Sequence, residues 1–140
     1  MIKFSPDKSL YPIIETSFEG LNTWRRISPL YGKNLEDVAF TGKGVWDGSG
    51  EVWRQVKKSK LTESQWKGFV SSGGVLNESK TSWYPSETFM KASVGADQNV
   101  RLDLKTKEEF EAIHDFLRPV LVSIQNSKRV LFDGPVFQNS

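Results

Sequence analysis

The 140-residue sequence has no cysteine and a single histidine, His114. The absence of cysteine excludes disulfides and any metal site built on thiolates. One histidine excludes a metal site with several imidazole ligands and leaves little room for a Ser-His-Asp triad. We therefore expect neither a bound metal nor a cofactor, and we expect His114 to be a structural residue.

Long apolar runs are also missing. No stretch approaches the roughly 18 consecutive apolar residues of a transmembrane helix, so we expect no membrane span. The opening MIKFSPDKS has no cationic segment followed by an apolar one, so no signal peptide is visible. The formal net charge is +2, which gives no reason to expect a nucleic-acid partner. This length favours one domain with room for a hydrophobic core.

What the sequence does contain is an internal repeat. NLEDVAFTGKGVWDGS, residues 34–49, resembles NSKRVLFDGPVFQNS, residues 126–140. Each copy has an Asn, three residues, a Val, an apolar residue, a Phe, one residue and a Gly, and then an apolar pair. The matched positions are Asn34 and Asn126, Val38 and Val130, Phe40 and Phe132, Gly42 and Gly134, and Val45-Trp46 and Val136-Phe137.

Each copy predicts two short strands of period two joined by a glycine corner. Strands this short are stabilised when successive rungs stack, as in a solenoid. We therefore expect the copies to be neighbouring parallel rungs, with Phe40 and Phe132 stacked inward. Asn34 and Asn126 would lie buried at the preceding corners, where they could bond the next rung. The alternative is a chance similarity between two strand–turn segments.

Residues 51–117 do not continue the repeat and are predicted to be an insertion. LTESQWKGFVSSGG, residues 61–74, predicts a helix capped by Thr62 and Gln65, and KTKEEFEAIHDFL, residues 105–117, a second one capped by Thr106 and Glu109. The SSGGVLNESKTSWYPSE between them predicts a loop with room for one hairpin. Long insertions in solenoids often build the binding site.

The glycines of FTGKGVWDGSG, residues 40–50, admit a second interpretation. Gly42, Gly44 and Gly48 are one residue off the spacing of a dinucleotide fingerprint. Asp47 would repel a pyrophosphate, and the following EVWRQVKKSK lacks the apolar stripe of the helix that should open there. A dinucleotide-binding enzyme is therefore a remote alternative. We expect the glycines to form corners and turns, with Asp47 as a turn residue.

The same residues resemble a known family. LEDVAFTGKGVWDGSGEVW and the later FLRPVLVSIQNSKRVLFDGPVFQNS are similar to the polygalacturonase (pectinase) family of glycoside hydrolases. The insertion, with WRQVKKSKLTESQW and WYPSE, resembles a bacterial subgroup. The positions that match the family pattern are Gly42, Gly44, Asp47, Gly48, Gly50, Trp53, Arg118, Pro119, Asn126, Gly134, Asn139 and Ser140.

The resemblance implies a mainly β chain that forms part of a right-handed parallel β-helix. On this basis residues 1–140 are an incomplete β-helix domain with a helix-containing insertion at 51–117. The implied activity is inverting hydrolysis of α-linked galacturonic acid in pectin, and the implied location of the complete protein is periplasmic or extracellular.

The family's catalytic motifs are Asn-Thr-Asp, Asp-Asp, Gly-His-Gly and Arg-x-Lys, and none of them occurs in this sequence. Inverting glycosidases need a carboxylic acid and a carboxylate base across the sugar. We therefore assign no catalytic residue and expect an N-terminal or central fragment that is inactive alone.

The candidate substrate-binding residues are cationic and aromatic. Trp53, Arg54, Lys57 and Lys58 lie together in WRQVKKSK, and cations beside an indole suit a negatively charged sugar acid. Further candidates are Trp83 and Arg118. The structural alternatives stay open, namely a solvated loop for the basic cluster, core packing for Trp83 and a backbone corner for Arg118.

Two further expectations concern partners. A non-catalytic carbohydrate-binding half-solenoid would carry the same repeat and is the main alternative to the hydrolase. In both cases the expected ligand is a pectin-derived polysaccharide or oligosaccharide. The open ends of an uncapped solenoid would leave strand edges exposed, so self-association is also expected.

Overall fold

The computed structural model describes residues 1–94 and 100–140, and this part of the chain is mainly β, with several small sheets and no closed barrel. Its strands are β1 (Ile2–Lys3), β2 (Ile13–Phe18), β3 (Leu21–Arg26), β4 (Leu30–Lys33), β5 (Glu36–Thr41), β6 (Val45–Asp47), β7 (Val56–Lys57), β8 (Val75–Leu76), β9 (Ser82–Tyr84), β10 (Val122–Gln125), β11 (Lys128–Asp133) and β12 (Val136–Gln138). Its α-helices are α1 (Glu63–Ser71), α2 (Glu87–Ser93) and α3 (Lys107–Ala112).

The two copies of the repeat lie side by side. Strands β4, β5 and β6 pair in parallel with β10, β11 and β12, respectively. Val38 is opposite Val130, and Phe40 is opposite Phe132, in the register that the repeat predicts. Strand β1 pairs with β6 on the edge away from β12. The prediction of neighbouring parallel strands is therefore confirmed.

The corners between these strands rely on left-handed backbone. Asn34 and Asn126 have φ values of 57° and 47°, a conformation that asparagine tolerates better than most residues. The prediction that both side chains are buried is wrong, because both are exposed. The backbone makes the bond between copies instead, since the Asn34 N–H donates to the Gln125 carbonyl at 3.0 Å. The corner therefore does not need a buried amide.

Glycine is required at one further corner. Gly134 has a φ of 92°, and a Cβ there would lie 2.9 Å from the carbonyl oxygen of Gly42. Any side chain would therefore separate the two glycine corners.

Stacked aromatic rings follow the parallel pairing. The Phe40 and Phe132 ring centroids are 4.6 Å apart and their planes differ by 8°, so the predicted stack is confirmed. Phe132 is nevertheless 37 % exposed, so the predicted stack is only partly buried. The reason is that, in the described part of the chain, β11 pairs only with β5 and lies at the sheet edge.

The main hydrophobic core lies elsewhere. Strands β2 and β3 form an antiparallel hairpin, which the repeat does not predict, and α3 packs against it. The hairpin turns at Glu19-Gly20, both with positive φ, which suits a tight two-residue connection. The core residues come from this hairpin and from the region of α2 and α3, and they are Ile13, Phe89, Ala92, Phe110, Phe116 and Leu117.

The two predicted helices begin where the sequence indicates. Thr62 and Thr106 are N-caps with complete capping boxes, which satisfy backbone N–H groups that a helix start leaves open. Helix α3 ends at Ala112, so the prediction that it continues to residue 117 is wrong. Beyond it the N–H of Ile113 donates to Phe110 and that of His114 to Glu111, which are tighter, i to i−3 bonds.

Between α1 and α3 the chain adds a small sheet and one unpredicted helix. Strand β9 pairs in antiparallel fashion with both β7 and β8, so the predicted hairpin is present as β8–β9. Helix α2 begins at an N-cap, Ser86, whose hydroxyl accepts from the N–H of Phe89 at 3.0 Å. Across residues 1–94 and 100–140, no helix has the length and apolar composition needed to cross a bilayer.

Candidate functional site

The six predicted binding residues do not form one site. Trp53, Arg54 and Arg118 line a small cleft, Lys57 and Lys58 line a separate groove, and Trp83 lies in neither. The arginine cleft is also lined by Pro29, Gly48, Gly50, Pro119, Leu121 and Ser140. The lysine groove is also lined by Ser59, Glu63, Thr81 and Ser82.

Two short turns bring the residues of the arginine cleft together. Trp53 ends a 3-10 turn over Gly50–Trp53, and Arg54 follows it in extended conformation. Arg118 follows the fully buried Leu117, and its N–H donates to the Phe116 carbonyl at 3.0 Å. Residues 54 and 118 are distant in sequence, so the basic cluster predicted around Trp53 divides because Arg54 turns towards Arg118.

Trp53 itself is packed as a core residue. Its side chain is 4 % exposed, with the Tyr11 ring edge-on at 5.5 Å between centroids. The Lys8 ammonium and the Arg26 guanidinium also lie 5.4 and 5.5 Å from the indole centroid. An indole enclosed in this way forms a wall of the cleft and offers no open face to a sugar ring.

Trp83 is packed in the same manner. It is 7 % exposed, its ring is 5.1 Å from that of Phe69, and its Nε1–H donates to the Gly73 carbonyl at 2.7 Å. A tryptophan whose N–H is satisfied inside the protein is typical of a core. This geometry favours the structural alternative for Trp83.

Two guanidinium groups, those of Arg54 and Arg118, line the arginine cleft. Burial and then the nearby Arg54 lower the pKa of Arg118. Arg25 lines a neighbouring pocket, is 5 % exposed and donates from Nη2 to the Arg118 carbonyl at 2.9 Å. Burial and then Arg118 lower the pKa of Arg25 to about 10. The cleft is therefore lined by two cations, of which Arg118 is partly desolvated.

The lysine groove is wider and more open. It has a volume of about 660 Å³ and is open to solvent, and its two lysines are carried on β7 and on the turn that follows it. Lys58 has partners within the protein, because its Nζ lies 3.4 Å from the Glu63 carboxylate and 6.0 Å from the centroid of the Trp66 ring. Lys57 is exposed and has no side-chain partner among the described residues. It is therefore free to meet an anionic ligand.

Asp47 fastens the two copies of the repeat to each other. It ends β6 and is 5 % exposed, and its carboxylate accepts from the Ser49 N–H at 2.9 Å, Gln138 Nε2 at 2.8 Å and Asn139 Nδ2 at 2.9 Å. The bond from Ser49, followed by that from Gln138, lowers the pKa of Asp47. After Gly48 only a four-residue 3-10 turn follows, so the helix that a dinucleotide site requires does not form here.

Arg26 is a buried cation that the sequence did not single out. Its guanidinium donates to the carbonyl oxygens of Lys8 at 2.6 Å, Tyr11 at 2.9 Å and His114 at 2.9 Å. The arginine therefore joins the N-terminal segment to the turn after α3. His114 is exposed, with Nε2 3.5 Å from the Asp115 carboxylate, in agreement with the structural role predicted for it.

Within the described ranges, no three His, Asp or Glu side chains come together as metal ligands. No family model, curated protein or solved structure matches this chain. The resemblance to polygalacturonases therefore stays a prediction that rests on the sequence motifs alone.

Proposed function

We propose that this chain forms coils of a right-handed parallel β-helix in a polygalacturonase-like glycoside hydrolase that acts on α-linked galacturonic acid in pectin. The observation that carries the proposal is the parallel pairing of three successive strands, β4 to β6, with β10 to β12. Such order-preserving pairing is what two successive coils of a solenoid produce. On this proposal the complete protein works in the periplasm or outside the cell, where pectin is met.

The region between the two coils is proposed to supply substrate contacts. Residues 51–117 leave the first coil after β6 and rejoin the second before β10, as an insertion in a solenoid does. The lysine groove lies in this region, and its volume suits sugar rings better than that of the arginine cleft. The Lys57 ammonium would pair with a galacturonate carboxylate, with Lys58 as a second cation beside it.

Catalysis is not assigned to any residue of this chain. Hydrolysis would need a positioned carboxylic acid and carboxylate base, which the family's Asn-Thr-Asp and Asp-Asp motifs supply and residues 1–140 lack. We propose that this chain binds galacturonan without cleaving it.

The binding proposal is tested with a double variant, Lys57→Ala with Lys58→Ala. Titration calorimetry with oligogalacturonate and with neutral galactan compares a charged and an uncharged glycan. We expect the double variant to bind oligogalacturonate about tenfold more weakly, since two charged contacts are lost. Lys67→Ala, which removes an exposed cation from α1, is the matched control and should bind as the unmodified chain does. Equal losses of affinity for both glycans would show that the two lysines are part of a solvated surface and do not recognise the galacturonate charge.

A further inference from the structure

A polar groove lies between the hairpin β2–β3 and the ends of strands β4 and β10. It has a volume of about 610 Å³ and is open to solvent, and every side chain that lines it is polar or charged. The hairpin contributes Glu15, Thr16 and Ser17 to the lining, and the sheet β4–β10 contributes Lys33 and Gln125. The two walls touch, because Gln125 Nε2 donates to Thr16 Oγ1 at 2.6 Å. The groove therefore lies between two elements that hold each other in place.

The groove follows the free edge of β2. Three consecutive residues of this strand, Glu15, Thr16 and Ser17, line the groove. Successive side chains of a strand point to opposite faces, so a groove that borders all three runs along the edge of the strand. In the part of the chain that the structure describes, β2 pairs only with β3, and its other edge is free.

The hydrogen-bond register shows which backbone groups of β2 point into the groove. The Ile27 N–H donates to the Pro12 carbonyl at 2.9 Å, so residues 12 and 27 form a hydrogen-bonded pair. Bonded and non-bonded pairs alternate along an antiparallel hairpin, so Glu15 and Ser17 belong to non-bonded pairs. Their N–H and C=O groups point away from β3 and have no hydrogen-bond partner within residues 1–94 and 100–140.

The two walls also carry unpaired charges of opposite sign. Lys33 lies opposite Gln125 in the parallel pair of β4 and β10, so both side chains are on one face of that sheet. Because Gln125 reaches Thr16, this face is turned towards the hairpin. Glu15 and Lys33 are exposed, and neither has a side-chain partner among the described residues. The groove therefore presents one carboxylate and one ammonium group to a ligand.

This lining fits an extended peptide better than a compact ligand. Pockets for small molecules are lined mainly by apolar and aromatic side chains, and none of these lines this groove. Strand addition depends instead on main-chain hydrogen bonds at a free sheet edge. A second copy of the hairpin fits less well than a single strand, because it would bring its own β4–β10 wall into the same space.

We propose that an extended peptide pairs with the free edge of β2 and exchanges main-chain hydrogen bonds with Glu15 and Ser17. In antiparallel pairing, the peptide residue opposite Glu15 places its side chain on the same face as the Glu15 carboxylate, so a basic residue fits there. The adjacent peptide residue points to the other face, where Lys33 lies, so an acidic residue fits there. The ligand is therefore a polar strand with an acidic residue next to a basic one. This proposal does not rest on galacturonan binding.

NMR titration of the isotope-labelled chain tests the proposal, with the peptide acetyl-Thr-Thr-Asp-Lys-Thr-Thr-amide as the probe. We expect a Kd of roughly 0.1–1 mM and shifted amide resonances at Glu15 and Ser17. At a peptide concentration of about ten times Kd, hydrogen exchange of these two amides should slow about tenfold. The same peptide N-methylated at its lysine lacks the donor opposite Glu15 and should bind at least about tenfold more weakly. Equal binding of the methylated peptide would exclude strand pairing.

Exchange of charges tests the side-chain contacts. The peptide acetyl-Thr-Thr-Lys-Asp-Thr-Thr-amide has the same composition and should bind the unmodified chain about threefold more weakly, since exposed charge pairs contribute little. The double variant Glu15→Lys with Lys33→Glu should prefer this second peptide. Lys67→Glu, at an exposed position on α1, is the control and should keep the original preference. The same preference in the double variant and the unmodified chain would overturn the charge assignment.

A proline variant tests the edge itself. Ser17→Pro removes the N–H that points into the groove without removing a bond to β3, and it should abolish peptide binding. If this variant does not fold, the methylated peptide still tests the same hydrogen bonds. Absence of amide shifts at about 10 mM peptide, or undiminished binding in a folded Ser17→Pro chain, would overturn the proposal. Shifts of the same amides with neutral galactan and not with peptide would show a saccharide site instead.

Discussion

Phe132 lies directly over Phe40, with 4.6 Å between the ring centroids and 8° between the ring planes. Because Phe132 is 37 % exposed, Phe132→Ala should cost about 1–2 kcal/mol, less than the 3–5 kcal/mol typical of a fully buried ring. Phe116, which is 3 % exposed, is the matched control, and Phe116→Ala should cost about 3–5 kcal/mol. Urea denaturation measures the free energy of unfolding of both variants. Equal losses of stability would show that Phe132 contributes as much as a buried core ring.

Substitution of the buried Arg26 should lower the free energy of unfolding more than substitution of an exposed arginine does. Arg26→Lys keeps the charge, but an ammonium group cannot replace the guanidinium that donates to the carbonyls of residues 8, 11 and 114. We therefore expect the free energy of unfolding to fall by about 2–4 kcal/mol. Arg129, which contacts Glu36 and Asp37 at the surface, is the control, and Arg129→Lys should cost less than about 1 kcal/mol. Chemical denaturation of both variants tests this, and a smaller loss at Arg26 would contradict it.

The Asp47 carboxylate should make the pairing of the two copies of the repeat sensitive to acid. Its hydrogen bonds lower its pKa in the folded chain below the unfolded value of about 3.9. The stabilisation is therefore complete above about pH 4 and is lost as the pH falls through the folded pKa. Asp47→Asn should be less stable than the unmodified chain at pH 7, and the difference should shrink towards pH 3.

Urea midpoints at pH 7, 5 and 3 measure this effect, with Asp133→Asn, an exposed position on β11, as the control. If the urea midpoints of Asp47→Asn and the unmodified chain differ by the same amount at all three pH values, the charge of Asp47 is not involved.

The free edges of β11 and β12 should promote self-association. Strands β11 and β12 each lie at a sheet edge in the described part of the chain, and Leu131 and Val136 are 53 % and 54 % exposed. Unpaired strand edges with apolar side chains favour edge-to-edge pairing, and a lysine there opposes it. Sedimentation velocity over a concentration series should show association that Leu131→Lys with Val136→Lys reduces. Val70→Lys, at a 44 % exposed position on α1, should have no such effect.

The isolated chain should not cleave pectin. Incubation with polygalacturonate should release no reducing ends above a buffer blank, because residues 1–140 lack the carboxyl motifs on which the family depends. Release of reducing ends that disappears when an aspartate of this chain is mutated would show that the active site lies within it. Binding without cleavage agrees with both the hydrolase proposal and the carbohydrate-binding alternative.

The parts of the fold that the sequence predicts are those with local or repeated signals. The common spacing of Val38, Phe40 and Gly42 with Val130, Phe132 and Gly134 predicts the parallel register, because stacked coils place equal residues opposite each other. Thr62 and Thr106 predict helix starts because a capping box involves only four consecutive residues.

Other features depend on contacts that sequence spacing does not reveal. The hairpin β2–β3 was missed although Glu19-Gly20 offers a turn signal, and helix α2 was missed because it has only seven residues. Trp53 and Trp83 were predicted to bind substrate, but whether an indole is open or enclosed depends on distant residues such as Tyr11. Arg118 was predicted as a candidate, but its proximity to Arg54 follows only from the tertiary structure.

The parallel pairing of the two copies of the repeat joins residues that are far apart in the chain, as Asp37 and Arg129 are, with a separation of 92. During synthesis the first copy of the repeat leaves the ribosome well before its partner strands exist. At typical rates of translation of about 5–20 residues per second, β5 waits roughly 5 to 20 s for β11. The hairpin β2–β3 is complete within its own 14 residues, from Ile13 to Arg26, and needs no such delay. We therefore expect the edge of β5 to lack its native partner strand for that interval.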